Sequence, residues 1–96
     1  MVDAPQTKIA VLVHQQGFSL VVNQDQRPLP QRRGDFDYQG LETELKRLKQ
    51  SYPDKTDLQV LSEDAIEFAI LVKTMDAALA SGFPSISLLD AAAASP

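Results

Sequence analysis

The sequence predicts an α/β (α+β) domain of order β-β-α-β-α-β, a small mixed sheet with two helices packed on one face. Three observations carry this. Two β-branched runs flank a glycine in KIAVLVHQQGFSLVVN, two later stretches repeat apolar residues at helical spacing, and the short alternating segments DLQVLS and SISLLD supply the remaining strands.

The first run spans Ile9 to Val13 and the second Phe18 to Val22, split by Gln15, Gln16 and Gly17. This is a hairpin with glycine where the turn needs positive φ. Ile9, Val11 and Val13 face one way, Ala10 and Leu12 the other, so the strand is apolar on both faces. NQDQRPLPQRRGDFD, residues 23–37, reads as a long polar connection, either a functional excursion or flexible. In DYQGLETELKRLKQSYPD, Tyr38, Leu41, Leu45 and Leu48 line one helix face. Asp37 is the expected N-cap, Gly40 weakens the first turn, Glu42 and Lys46 form an i,i+4 pair, and Pro53 ends the helix.

In DLQVLSED, Leu58 and Val60 share one strand face and Leu61 takes the other. The second helix is expected to open with a capping-box-like Asp64-x-x-Glu67 and to turn Phe68, Leu71, Val72, Met75, Ala78 and Leu79 to the core. Gly82 follows as a left-handed C-cap, Phe83 folds back on the last turn, and Pro84 prevents the helix from resuming. The final strand sets Ile86 and Leu88 on one face and Leu89 on the other. Right-handed crossovers put both helices on the same sheet face, leaving Leu12, Leu61 and Leu89 on a bare face that invites a partner. Residues 1–8 read as a flexible leader, 9–90 as the domain, and 91–96 as a tail or linker.

Composition narrows the function. The chain has 96 residues, enough for one modest core, and 44% of them are hydrophobic, which suits a folded domain. The net charge of −4 argues against nucleic acid, which demands a basic stripe. Arg27, Arg32 and Arg33 are followed at once by Asp35 and Asp37, the mark of a solvated loop. Without cysteine, neither a disulfide nor a thiolate metal site is available. No apolar run in the sequence approaches the roughly 18 residues that cross a bilayer, and the N-terminus does not read as a signal peptide.

Catalytic vocabulary is sparse. His14 is the only histidine and has neither a serine or cysteine nucleophile beside it in sequence nor a second imidazole. Glu63, Asp64 and Glu67 gather at a strand-to-helix junction, where helix capping explains them better than a hard cation. The Arg33-Gly34-Asp35 triplet reads as turn chemistry. No enzyme activity, metal or cofactor is expected. One feature departs from the bland pattern: Ile66 and Ile70 fall opposite the expected core sector of the second helix. With Glu63 and Glu67 they form the candidate interaction site.

The stretch LETELKRLKQSYPDKTDLQVLSEDAIEFAILVKTMDAALASGFPSISLLD resembles the periplasmic domain of the ExbD/TolR family of biopolymer-transport proteins. The likeness lies in a Leu-rich helix ending in Pro-Asp, a strand, an acidic junction, a V-x-x-M-D-A helix and a G-F stop before the last strand. It covers roughly positions 9 to 90, with the hairpin the weaker part. Many members carry Val-Pro-Tyr where this chain has Ile66, Glu67 and Phe68. The resemblance implies a homodimeric, single-pass protein on the periplasmic side of the cell inner membrane. It also implies an ExbB/TolQ-like ring partner, bound through a transmembrane helix not in this chain, and a TonB/TolA-like effector or peptidoglycan as the outer contact. Proton flow through such a complex drives transport, envelope or motility work. A small-ligand- or peptidoglycan-binding domain without a motor role is the alternative. The upstream reading frame separates them, since the motor reading calls for an apolar helix containing an aspartate.

Overall fold

The computed structural model describes residues 8–23, 25–32 and 34–90. The expected leader (Lys8 apart), the expected tail over 91–96 and Arg33 of the Arg-Gly-Asp triplet lie outside the described residues. The elements are β1 (Ile9–His14), β2 (Gly17–Val22), β3 (Asp25–Pro30), α1 (Tyr38–Ser51), β4 (Asp57–Ser62), α2 (Phe68–Ala80) and β5 (Ser85–Asp90). The strands form one mixed sheet in the order β3-β2-β1-β4-β5, antiparallel across β3–β2–β1 and parallel across β1–β4–β5. Class and element order follow the prediction, with one strand added.

That strand, β3, corrects the reading of residues 23–37 as a connection. Two prolines disguise it. The amide of Gln31 donates to the carbonyl of Gln16 (3.2 Å), so the odd-numbered positions of β3 turn their backbone toward β2. Pro28 and Pro30 therefore fall on the positions that face solvent, where a missing N–H costs no ladder bond. Asn23 makes the turn with φ 57°, a conformation that asparagine tolerates. It is stapled to Lys8 twice, its amide donating to the Lys8 carbonyl (2.8 Å) and its Oδ1 accepting from the Lys8 amide (3.0 Å). The remaining stretch to α1 is anchored by Phe36, whose ring packs 5.1 Å from that of Phe18.

Ile9, Val11, Val13, Phe18, Leu20, Leu58 and Val60 give the sheet one buried apolar face. Onto it α1 lays Leu41 and Leu45, with Tyr38 and Leu48 at the margin, as their spacing requires. Asp37 caps α1, its Oδ1 accepting from the Gly40 amide at 2.9 Å, and the Lys46–Glu42 pair closes to 2.7 Å. Gly17 has φ 139°, and a Cβ there would lie 2.6 Å from the Leu29 carbonyl oxygen, so both the turn and the close approach of β3 need glycine.

At the C-terminus of α2 the Phe83 amide donates to the Ala78 carbonyl and the Gly82 amide to the Leu79 carbonyl, both at 3.1 Å. These are the two bonds of a Schellman motif, with Gly82 at φ 99° and Phe83 completely buried. Lys49 of α1 secures the same corner. Its Nζ lies 5.3 Å from the Phe83 ring centroid and donates to the Lys55 carbonyl.

Candidate interaction surface at the β5 edge

The structure rotates α2 about its axis relative to the expected sector. Ile66 and Ile70 pack against the core, and Leu71, Thr74, Ala77 and Ala78 form the buried face. The candidate Ile66–Ile70 ridge is therefore partly buried against the core and not a free apolar ridge. Instead Phe68, Val72 and Leu79, assigned to the core, are 68%, 36% and 52% exposed, with Met75 half-buried between them. Two local facts explain the rotation. Ala65 adopts φ 70°, which delays the helix to Phe68 and leaves Glu67 as an N-cap with no side-chain hydrogen bond, so the Asp64–Glu67 capping box does not form. Thr74 can be wholly buried because its Oγ1 donates to the Ile70 carbonyl at 2.7 Å, satisfying the hydroxyl within the helix.

At roughly 100° per residue, Phe68, Val72, Met75 and Leu79 line a single flank of α2. The opposite flank faces α1, where Lys73 sits 5.6 Å from the Tyr38 ring centroid and Asp76 and Ala77 border the groove between the helices. The apolar flank accordingly turns away from α1, on the β4–β5 side of the sheet, where α2 contacts β4. On β5 Ile86 is partly buried and Leu88 is 41% exposed, both on the helix side because they register with Leu58 and Val60.

β5 is also an open edge. Its Ser85 amide donates to the Thr56 carbonyl (3.1 Å), so Ser85, Ser87 and Leu89 turn their backbone toward β4. The backbone groups of Ile86 and Leu88 point away from the sheet. Nothing on Ser85–Leu89 blunts this edge with proline, lysine or other charge, whereas β3 at the far side carries Asp25, Arg27 and two prolines.

The other expected residues lie elsewhere. Glu63 and Glu67 are exposed at the β4–α2 junction; Glu63 Oε1 accepts from the Gln15 amide at 3.3 Å, tying that junction to the β1–β2 turn. Leu12, Leu61 and Leu89 do form one row across the helix-free face, since Leu12 registers with Leu61 and Leu61 with Leu89. His14 does have a serine partner, contrary to its sequence neighbourhood: Ser19 Oγ lies 2.8 Å from Nε2, brought there by the hairpin register. Ser19 is buried, so the pair ties β1 to β2 rather than presenting a nucleophile. Among the described residues no group of three or more histidine, aspartate or glutamate side chains is placed to hold a metal ion, and no helix is long and apolar enough to cross a membrane.

A cleft of about 220 Å³ lies between α1 and the β2–β3 hairpin, floored by Leu20, Val22 and Leu48. Its rim is bridged by Arg27 on β3, which donates to Glu44 on α1 at 2.7 Å, with Arg47 at 3.7 Å from the same carboxylate. What sequence reasoning missed is therefore the α2 flank and the β5 edge. The i, i+4, i+7, i+11 spacing of Phe68, Val72, Met75 and Leu79 was visible but fits a core stripe equally well. No protein-family model matches the chain, and no curated protein matches it either.

Proposed function

We propose that this chain is the periplasmic domain of a proton-driven inner-membrane motor subunit of the ExbD/TolR kind, working through protein contacts and not through catalysis. The observation that carries the reading is the β5 edge with the apolar α2 flank, a surface that offers backbone hydrogen bonds and apolar area together. The order of predicted elements and the Gly82–Phe83 stop, on which the resemblance rests, support it further. In this reading a membrane helix outside the chain engages an ExbB/TolQ-like ring. The domain meets a TonB/TolA-like effector, peptidoglycan or a second copy on the periplasmic side.

The alternative small-ligand reading has the cleft beside α1 in its favour. That cleft falls below the roughly 300 Å³ at which ligand pockets begin, and its rim residues Arg27, Arg47 and Glu44 are already engaged with one another. The test is made in the full-length protein, with Phe68→Ser and Val72→Ser combined. The expected result is normal abundance and folding with loss of proton-driven work. Unimpaired work in that variant removes this surface from the motor reading.

A further inference from the structure

We infer that the cleft between α1 and the β2–β3 hairpin binds a free α-amino acid with one apolar side chain of about the size of leucine. The cleft lies on the β2–β3 side of the sheet, away from the α2 flank, and the inference does not rest on the motor reading.

Size comes first. A volume of about 220 Å³ is too small for a molecule of cofactor size, yet an interior cavity of about 150 Å³ already takes a benzene-sized group. Leu20, Val22 and Leu48 give the cleft an apolar floor, so what it can shelter from water is a single branched or aromatic side chain.

The rim is dipolar. α1 runs alongside β2, since Tyr38 at its start packs 5.6 Å from Phe18 near the start of β2, and Ser51 at its end borders the cleft with Val22. One end of the cleft therefore holds Arg27, Arg47 and Glu44, two guanidinium groups against one carboxylate. The other end holds Asp25 and the last turn of α1, whose carbonyls form the negative pole of the helix. Arg27 and Asp25 stand two residues apart on β3, about 7 Å along the strand, so the two poles face a small ligand from opposite sides.

One group at each pole is uncommitted. Arg27 donates to Glu44 at 2.7 Å, but Arg47 stands 3.7 Å from the same carboxylate, beyond hydrogen-bond distance, and is 65% exposed. Asp25 enters no ion pair among the described residues. A zwitterion satisfies both: its carboxylate accepts from the Arg47 N–H groups, its ammonium donates to Asp25, and its side chain rests on the apolar floor. A simple anion would be repelled by Asp25, and a simple cation by Arg47.

The contact area is small and the charges are exposed, so Kd for L-leucine should be on the order of 1 mM. Amide NMR of the isotope-labelled chain reads it, with saturable shifts expected at Leu20, Val22, Leu48 and Ser51. N-acetyl-L-leucine lacks the ammonium and L-leucinamide lacks the carboxylate; each should bind about fivefold more weakly, the size of one exposed charge contact. The amino acid glycine, with no side chain to shelter, should give no saturable shift. Asp25→Asn and Arg47→Gln alter exposed side chains and should leave the fold as it is. In Asp25→Asn, L-leucine and N-acetyl-L-leucine should bind alike, and in Arg47→Gln, L-leucine and L-leucinamide should do so. Failure of L-leucine to saturate the shifts at about 50 mM, roughly fifty times the expected constant, overturns the site. So do shifts confined to residues outside the cleft, and so does N-acetyl-L-leucine binding the parent as tightly as L-leucine. A preference for L-leucine over N-acetyl-L-leucine that persists in Asp25→Asn overturns it as well. The titration has no motor readout: its failure leaves the motor reading standing, and unimpaired work in the Phe68→Ser, Val72→Ser variant leaves this site standing.

Discussion

Gly40 sits inside the first turn of α1, where alanine would ordinarily be the better helix former by roughly 1 kcal/mol. Here a Cβ would run into the Asp37 side chain, with Cγ only 2.7 Å away, so glycine is what lets the capping carboxylate reach its amide. Asp37→Ala should cost about 1 kcal/mol in the native background and close to nothing beside Gly40→Ala, a coupling that denaturant titration of the double-mutant cycle measures. Tyr38, next along, has its phenol pushed above the ordinary value, first by burial and then by the Asp35 carboxylate. A raised folded-state pKa means that the folded protein holds this proton more tightly than the unfolded chain. Its contribution is complete below the unfolded value of roughly 10 and is lost as pH rises through the folded value. Tyr38→Phe should flatten the decline of stability across that alkaline window, read by thermal melts from pH 9 upward (about one unit below the unfolded value).

Within α2, the choice of buried face turns on a polar residue. Thr74 at the centre of the core face counts as polar in a sequence pattern, yet its hydroxyl is satisfied by its own helix and disappears from the cost of burial. That is why periodicity alone sets Phe68 and Val72 inward and Ile70 outward, the reverse of the structure. Paired substitutions read the difference: Ile70→Lys should lose about 2 kcal/mol by burying a charge against the core, while Val72→Lys should stay within about 0.5 kcal/mol of the parent in denaturant unfolding. The end of α2, by contrast, was legible from Gly82, Phe83 and Pro84, because only glycine takes that backbone conformation without strain. Gly82→Ala should cost about 1 kcal/mol or more, since φ is 99° and the added methyl would press on Lys49 at 3.3 Å. β3 stayed hidden for a different reason. Proline is scored as a strand breaker, and only the pairing partner reveals that both prolines point outward.

For the molecule as a whole, the two ends of the sheet have opposite characters. Pro28 and Pro30 leave β3 almost without outward donors, while β5 offers its own freely. A sheet with one open edge is a monovalent unit: one partner strand satisfies it and growth stops there. Restoring donors at the other end makes the unit divalent. Pro28→Thr with Pro30→Thr should preserve the fold, because neither position bonds to β2, yet produce higher oligomers that the parent does not form, read by sedimentation. An unchanged size distribution in that variant would show that the prolines do not set the limit. Chain termination, ordinarily a matter of polymer chemistry, would then be written here into two residues that look in sequence like an unstructured loop.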